Sequence, residues 1–127
     1  MDIYEKTADL AHSIKESSEY SEFMEMEKLV KQNPEAREIL NEYRAQQFAL
    51  NLAEMAGHSG EALNDAFAEI CDMMEGNALL RRYLNAETNL TCMIQRINQI
   101  FLENLGVSAA AFPMLEDAGE ENGGYLN

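Results

Sequence analysis

The side chains best suited to catalysis or metal binding are His12, His58, Cys71 and Cys92. Metal sites in helical proteins bring such ligands together in clusters, as Cys-x-x-Cys pairs or as Glu-x-x-His repeated on facing helices. Neither pattern occurs here, because the cysteines lie far apart in the chain and no Glu stands three residues before a histidine. Asp9 does stand three residues before His12, but one such pair is more typical of an exposed helix face. We therefore predict no metal ion and no other cofactor.

A serine beside a histidine, in the loop 57–60, is the only other arrangement that suggests chemistry. A nucleophile elbow has the pattern G-x-S-x-G after a strand, and Glu61 stands here where the second Gly belongs. The sequence therefore predicts a protein that is not an enzyme. We expect both thiols to be buried as small hydrophobic side chains. One alternative stays open, a metalloprotein whose ligands His12, His58, Cys71 and Cys92 come together between subunits.

The charge of the chain narrows the classes of partner. The 127 residues fit one domain, with 9 Lys and Arg against 23 Asp and Glu, a net charge of −14. So negative a surface repels nucleic-acid phosphates and anionic lipids, so we predict no direct nucleic-acid binding and no membrane binding. The first residues do not have the basic and then apolar layout of a signal peptide, and no apolar run is long enough to span a membrane. We expect a cytoplasmic protein with reduced thiols.

Helical spacing of apolar residues runs through most of the chain, interrupted by Asn33-Pro34, Gly57–Gly60, Gly76-Asn77 and Gly106. These breaks predict an all-α bundle of about five helices, two of them long, over about 2–16, 19–32, 34–56, 61–75 and 78–105. We expect Ser18 to cap the second helix and Gly76 to follow the fourth helix as its C′ residue. Residues 1–106 then form the helical domain, and 107–127, which contain no Lys or Arg, an acidic and flexible tail.

The fifth predicted helix has a broad apolar face about 40 Å long, which the shorter helices are too short to cover. A second subunit is the natural cover, so we predict a homodimer or higher homo-oligomer formed through the long helices. The candidates for core or interface positions are Tyr43, Phe48, Leu84, Leu90, Ile94, Ile97 and Phe101.

Two further features could contribute to binding. Arg81-Arg82 is the only adjacent basic pair, and we predict a polar contact with acidic side chains, in the same chain or in a second subunit. Four of the eight methionines, Met24, Met26, Met73 and Met74, could line a groove for a client helix. Such a groove would make the protein a chaperone-like or structural binding module, which is the alternative to a dedicated regulator.

Several short segments resemble the YlbF/YmcA-like family. In the first half these are Ser18-Glu19-Tyr20, Asn33-Pro34-Glu35-Ala36, Leu40, Tyr43-Arg44 and Gln46-Gln47. In the second half they are Gly76-Asn77, Leu80, Tyr83-Leu84, Ala86-Glu87, Leu90 and the apolar run to Ile100. The resemblance covers roughly residues 2–105 and depends on the order and intervals of these segments.

The resemblance implies an all-helical, oligomer-forming regulator from the bacterial cytoplasm. Family members act in biofilm formation, competence and sporulation, assemble with related proteins, and influence messenger-RNA processing through ribonuclease Y. It therefore implies an adaptor that affects RNA through protein contacts, as a homo-oligomer or as a hetero-oligomer with related family members. Some family complexes carry iron–sulphur clusters, but Cys71 and Cys92 do not form a recognisable ligand group, so no cluster is expected here.

Overall fold

The computed structural model describes residues 2–58 and 60–108, which form five α-helices and, within those ranges, no strand. The helices are α1 (Ile3–Lys15), α2 (Ser18–Lys31), α3 (Pro34–Met55), α4 (Glu61–Glu75) and α5 (Ala78–Leu105). The predicted all-α bundle is confirmed, and α3 and α5 are its two long helices, with 22 and 28 residues. Apart from Val107 and Ser108, the predicted acidic tail lies outside the described residues, as does Ser59.

Side-chain caps explain why the helices begin where they do. The Asn33 side chain accepts a hydrogen bond from the backbone N–H of Ala36 at 3.0 Å, and Pro34 occupies the first turn of α3. Asn77 caps α5 in the same way, accepting from the N–H of Leu80 at 3.1 Å. Both caps fix the direction in which a long helix leaves the loop before it.

Two details of the predicted helix ends were wrong. The cap of α2 is Ser17, whose Oγ accepts from the N–H of Tyr20 at 3.2 Å, and Ser18 is already helical. Gly76 is the C-cap residue of α4, with a right-handed φ of −73°, and not the C′ residue after the cap. Left-handed glycines do occur at Gly57 and Gly106, with φ of 78° and 73°.

One hydrophobic core lies at the junction of α2, α3, α4 and α5. Here α2 and α4 end while α3 and α5 begin, so two pairs of helices, α2 with α5 and α3 with α4, share a single cluster. The buried members of this cluster are Met26, Val30, Ala36, Ile39, Leu40, Ile70, Met74, Leu80, Tyr83 and Ala86. The α1 helix adds no buried residue.

The predicted methionine groove is not formed. Met26 and Met74 are buried in the core, with 0% and 2% of their surface exposed, whereas Met24 and Met73 are 42% and 53% exposed. Met24 and Met26 lie roughly 200° apart around α2, and Met73 and Met74 lie roughly 100° apart around α4. In each pair, one side chain therefore points into the core and the other points away from it. The Met-lined version of the chaperone-like alternative is therefore wrong.

Candidate interaction surface

A half-buried ion pair joins the two long helices beside the core. The guanidinium of Arg44 on α3 donates a hydrogen bond to Glu87 Oε2 on α5, and these side chains are only 15% and 24% exposed. The Tyr83 hydroxyl donates to the same carboxylate oxygen at 3.4 Å. Burial, aided by the charge of Glu87, raises the pKa of Tyr83 to about 12. Tyr83 therefore stays a neutral donor at physiological pH.

Two aromatic pairs, each with one ring beside this ion pair, connect the four helices two by two. Tyr43 of α3 stacks on Phe67 of α4 with ring centroids 5.5 Å apart, and Phe23 of α2 lies 5.6 Å from Tyr83 of α5. The Arg44 guanidinium carbon also lies 5.7 Å from the centre of the Tyr43 ring. These ring contacts join α3 to α4 and α2 to α5, while the Arg44–Glu87 pair joins α3 to α5. The sequence contained no periodic signal for the Arg44–Glu87 contact, although both residues belong to segments that carry the family resemblance.

Replacing Arg44 with Met should lower the free energy of unfolding by about 1–3 kcal/mol, because Glu87 would keep its charge in a half-buried site without its strongest donor. Chemical denaturation followed by circular dichroism measures this loss. Arg96→Met is the matched control, since Arg96 is exposed and its guanidinium donates a hydrogen bond to Gln99 of its own helix. Equal losses in the two variants would contradict a structural role for the Arg44–Glu87 pair.

The two adjacent arginines make contacts within the chain. Arg81 donates a hydrogen bond to the backbone carbonyl of Glu75 at the end of α4. Arg82 lies 3.8 Å from a carboxylate oxygen of Glu22 on α2, and both side chains are about half exposed. Such a solvated pair contributes at most about 1 kcal/mol. A contact of these arginines with a second subunit stays a prediction.

The histidines and cysteines are spread over the molecule. His12 pairs with Glu16 at 3.1 Å on an exposed face of α1, and His58 is exposed after α3. The expectation of two buried thiols was wrong, because Cys92 is exposed on the polar side of α5 and Cys71 is only partly buried. Partial burial, with nearby carboxylates, raises the pKa of Cys71 and so favours the unreactive thiol. Within residues 2–58 and 60–108, no three His, Cys, Asp or Glu side chains are placed to hold one metal ion.

The residues predicted for the core or an interface divide into two groups. Tyr43 and Leu84 pack against the buried cluster, so they belong to the core of the single chain. The others line the two long helices beyond it, half-buried or, at Phe48 and Phe101, 56% and 45% exposed. Participation of this second group in an interface stays a prediction.

Among the described residues, apolar side chains on two of the helices form exposed faces. The first, called the α3 face, consists of Phe48, Leu52 and Met55, which are 56%, 50% and 85% exposed. The second, called the α5 face, consists of residues at helical spacing, of which the last two are 45% and 71% exposed: Leu90, Ile94, Ile97, Phe101 and Leu105. Large exposed side chains aligned on one helix face are typical of a binding surface.

Both faces lie on stretches with very little charge. Residues 45–56 of α3 contain one charged side chain, Glu54, and residues 90–102 of α5 contain one, Arg96. The α4 helix is the opposite case, with five exposed carboxylates on its outer side and no Lys or Arg. Depletion of charged residues is the compositional mark of an interface centre. The α3 and α5 faces are therefore the best candidates for contact with a protein partner.

No helix among the described residues is both long and apolar enough to cross a lipid bilayer. Although α5 has 28 residues, polar side chains occupy one whole side of it. Its apolar face is therefore a one-sided feature of an amphipathic helix.

Comparison with known proteins identifies the family. The chain resembles UPF0342 proteins of Staphylococcus saprophyticus (26% identical over 83% of this chain and 93% of the relative), Desulfitobacterium hafniense (27%, over 81% and 84%) and Staphylococcus aureus (28%, over 83% and 93%). No solved structure matches. Residues 3–105 match the family described as "Control of competence regulator ComK, YlbF/YmcA". Because this match spans most of the chain and all five helices, the protein belongs to the YlbF/YmcA family.

Proposed function

We propose that this protein is a regulator that acts by binding other proteins and not by catalysis. The observation that carries the proposal is the pair of exposed, nearly uncharged apolar faces on α3 and α5. The chain is otherwise highly charged, with a net charge of −14. Exposing two such apolar faces to water costs free energy. Contact with a partner protein removes that cost.

The regulated process that we propose is ribonuclease Y-dependent processing of messenger RNA, with this protein as an adaptor. The family description, control of the competence regulator ComK, supports a regulatory role. The negative charge supports an indirect one, because the acidic surface opposes RNA phosphates. We propose further that the protein works in the cytoplasm, as a homodimer or higher homo-oligomer or together with related family members.

Deleting the gene in its native host should change the set of transcripts cleaved by ribonuclease Y, and re-expression should restore it. Sequencing of RNA 5′ ends measures the change. Restoration by a Phe48→Asp, Leu52→Asp double variant should fail, because it places charges on the α3 face. The control is Met73→Asp, which changes a side chain of similar exposure (53%) on α4.

Unchanged RNA ends after the deletion would refute the ribonuclease Y role. Full restoration by the double variant would show that the α3 face is not the working surface. Cleavage of RNA by the purified protein alone would overturn the non-enzymatic proposal. Capture of ribonuclease Y or a related family protein by the tagged chain, lost in the double variant, would support the adaptor role directly.

A further inference from the structure

The side of α5 that lies opposite the buried Tyr83 carries arginines and no carboxylate. Helical spacing brings six exposed residues of this side within about 80° of one another around the helix: Arg81, Asn85, Thr88, Cys92, Arg96 and Gln99. We call this surface the arginine side of α5. Between residues 81 and 102, α5 has one carboxylate, that of Glu87, which points toward α3 and is bonded to Arg44.

The arginine side keeps most of its positive charge. The Arg81 guanidinium donates a hydrogen bond to the backbone carbonyl of Glu75, and the Arg96 guanidinium donates to a side-chain amide oxygen at 3.1 Å. Both acceptors are neutral, so these bonds orient the guanidinium groups without cancelling their charge. The neighbouring Arg82 is partly compensated, because a carboxylate oxygen of Glu22 lies 3.8 Å from it. In a chain with a net charge of −14, this side of α5 is therefore a positive surface on an acidic protein.

The first half of the arginine side is also shaped for binding. It borders an open depression lined by Arg81, Arg82, Leu84, Asn85 and Thr88. Leu84 gives the depression an apolar wall, and the other four side chains offer hydrogen-bond donors and acceptors. A partner can therefore place an apolar side chain against Leu84 while its acidic groups reach the guanidinium groups.

We propose that the arginine side of α5 binds an extended acidic segment of a partner protein. Carboxylates match guanidinium groups, which can hold them with paired hydrogen bonds. An extended backbone has free N–H and C=O groups, and the amide and hydroxyl side chains between the arginines can bond to both kinds. A partner helix bonds its own backbone groups and would leave those side chains unused.

The inference goes beyond the proposed function, because it uses neither of the two apolar faces. The α5 face, which includes Leu90, Ile97 and Phe101, lies on the other side of the helix from Arg81 and Arg96. Both sides of α5 can therefore be occupied at the same time, and an oligomer formed through the α5 face leaves the arginine side accessible.

The distance between the arginines predicts the spacing of the acidic residues in the partner. Arg96 follows Arg81 by fifteen residues, which is roughly 22 Å along α5. An extended chain covers that distance in about seven residues. We therefore expect two acidic groups separated by about seven positions, one at Arg81 and Arg82 and the other at Arg96.

Nucleic acid fits this surface less well than an acidic protein segment does. Proteins that bind single-stranded RNA stack its bases on aromatic side chains. The six residues that define the arginine side include no aromatic residue, and the nearby Tyr83 is buried, with 2% of its surface exposed. A long polyanion would also meet the acidic surface of the other helices, whereas a short acidic segment contacts only α5.

Fluorescence anisotropy with a synthetic peptide tests the inference on the full chain. The probe has two pairs of glutamates about seven residues apart, a leucine between the pairs, and serine and glycine elsewhere. Replacing Arg81→Gln together with Arg96→Gln should weaken binding at low ionic strength by about fivefold or more, because two of the three guanidinium charges are lost. The control, Arg37→Gln with Lys15→Gln, makes the same change in net charge at exposed positions outside α5 and should leave the affinity nearly unchanged.

A second peptide, in which the four glutamates are adjacent, should bind more weakly than the first, because it reaches only one end of the arginine side. Circular dichroism establishes that each protein variant is folded. Equal weakening in the control and in the arginine variant would overturn the inference, since binding would then depend on net charge alone. Failure of the peptide to bind would overturn it too, as would tighter binding of a single-stranded RNA of equal charge that competes for the same arginines. None of these results touches the regulatory role, which the RNA-end experiment tests through the α3 face.

Residues 116–121 of the chain itself contain four carboxylates and are the competing occupant. Replacing these four acids with their amides in the full chain should raise the affinity for the peptide only slightly, through the lower net charge. If the peptide binds only after this replacement, the chain's own acids occupy the arginine side, and the assignment to a partner protein is wrong.

Discussion

Replacing Met26 with Ala is expected to lower the free energy of unfolding by about 2–5 kcal/mol, the usual loss for a buried methionine. Met26 has no exposed surface and lies in the cluster shared by α2, α3, α4 and α5. Its removal leaves a cavity at the point where both pairs of helices meet. For a domain whose total stability is of the order of 5–15 kcal/mol, that is a large fraction.

Met24→Ala provides the control, because it makes the same chemical change two residues earlier on the same helix. Met24 is 42% exposed, so its truncation should cost under about 1 kcal/mol. Urea denaturation at one fixed protein concentration compares the variants, since the stability of an oligomer depends on concentration. Losses of similar size at both positions would contradict the assignment of Met26 to the core.

The helix positions could be predicted because the segments between the helices contain residues that cap, start or end helices: Asn, Pro and Gly. Asn33-Pro34 ends α2 and begins α3, and the bounds of α4 and α5 agree with the prediction. The errors at the helix ends have local causes. Ser17 and Ser18 are equally good caps by type, and only the backbone direction selects Ser17, whose hydroxyl reaches the Tyr20 N–H.

The sequence did not predict which residues of the apolar stripe, the row of apolar side chains along one side of each helix, are buried. The stripe of α5 runs along the whole helix by periodicity, yet Leu80 is fully buried and Phe101 is 45% exposed. Burial depends on which other helix lies alongside, and no local pattern encodes that. The same limit explains Met24 and Met26, since helical spacing shows that they lie on different sides but not which side faces the core.

The ion pair between α3 and α5 could not be predicted from the sequence either. Arg44 and Glu87 are 43 positions apart, and charged residues are common in this chain. Their contact results from how α3 and α5 cross, whereas the nearby ring contacts join other helix pairs, Tyr43–Phe67 joining α3 to α4 and Phe23–Tyr83 joining α2 to α5. The α3 face was missed in part for a related reason. Phe48 was predicted for the core or an interface, but Leu52 and Met55 were not distinguished from ordinary apolar positions.

Replacing Phe101 with Asp is expected to dissociate the oligomer while leaving the single chain folded. Phe101 is 45% exposed in the single chain, so a carboxylate there can remain in water. In the proposed homo-oligomer the same carboxylate would be buried in an apolar interface without a partner. We expect the dissociation constant to rise by about 100-fold or more, which corresponds to roughly 3 kcal/mol.

Ile97→Asp separates this effect on assembly from an effect on folding. Ile97 is already half-buried in the single chain, so Asp at that position should reduce helicity as well as dissociate the oligomer. Met73→Asp, at a side chain 53% exposed on α4, should change neither property.

Light scattering over a range of concentrations gives the mass of each variant, and circular dichroism gives its helicity and melting temperature. If Phe101→Asp keeps the mass and melting of the parent chain, the α5 face is not the interface. If it unfolds like Ile97→Asp, Phe101 belongs to the core of the single chain. Loss of mass with helicity retained is the result that only a face buried between copies produces.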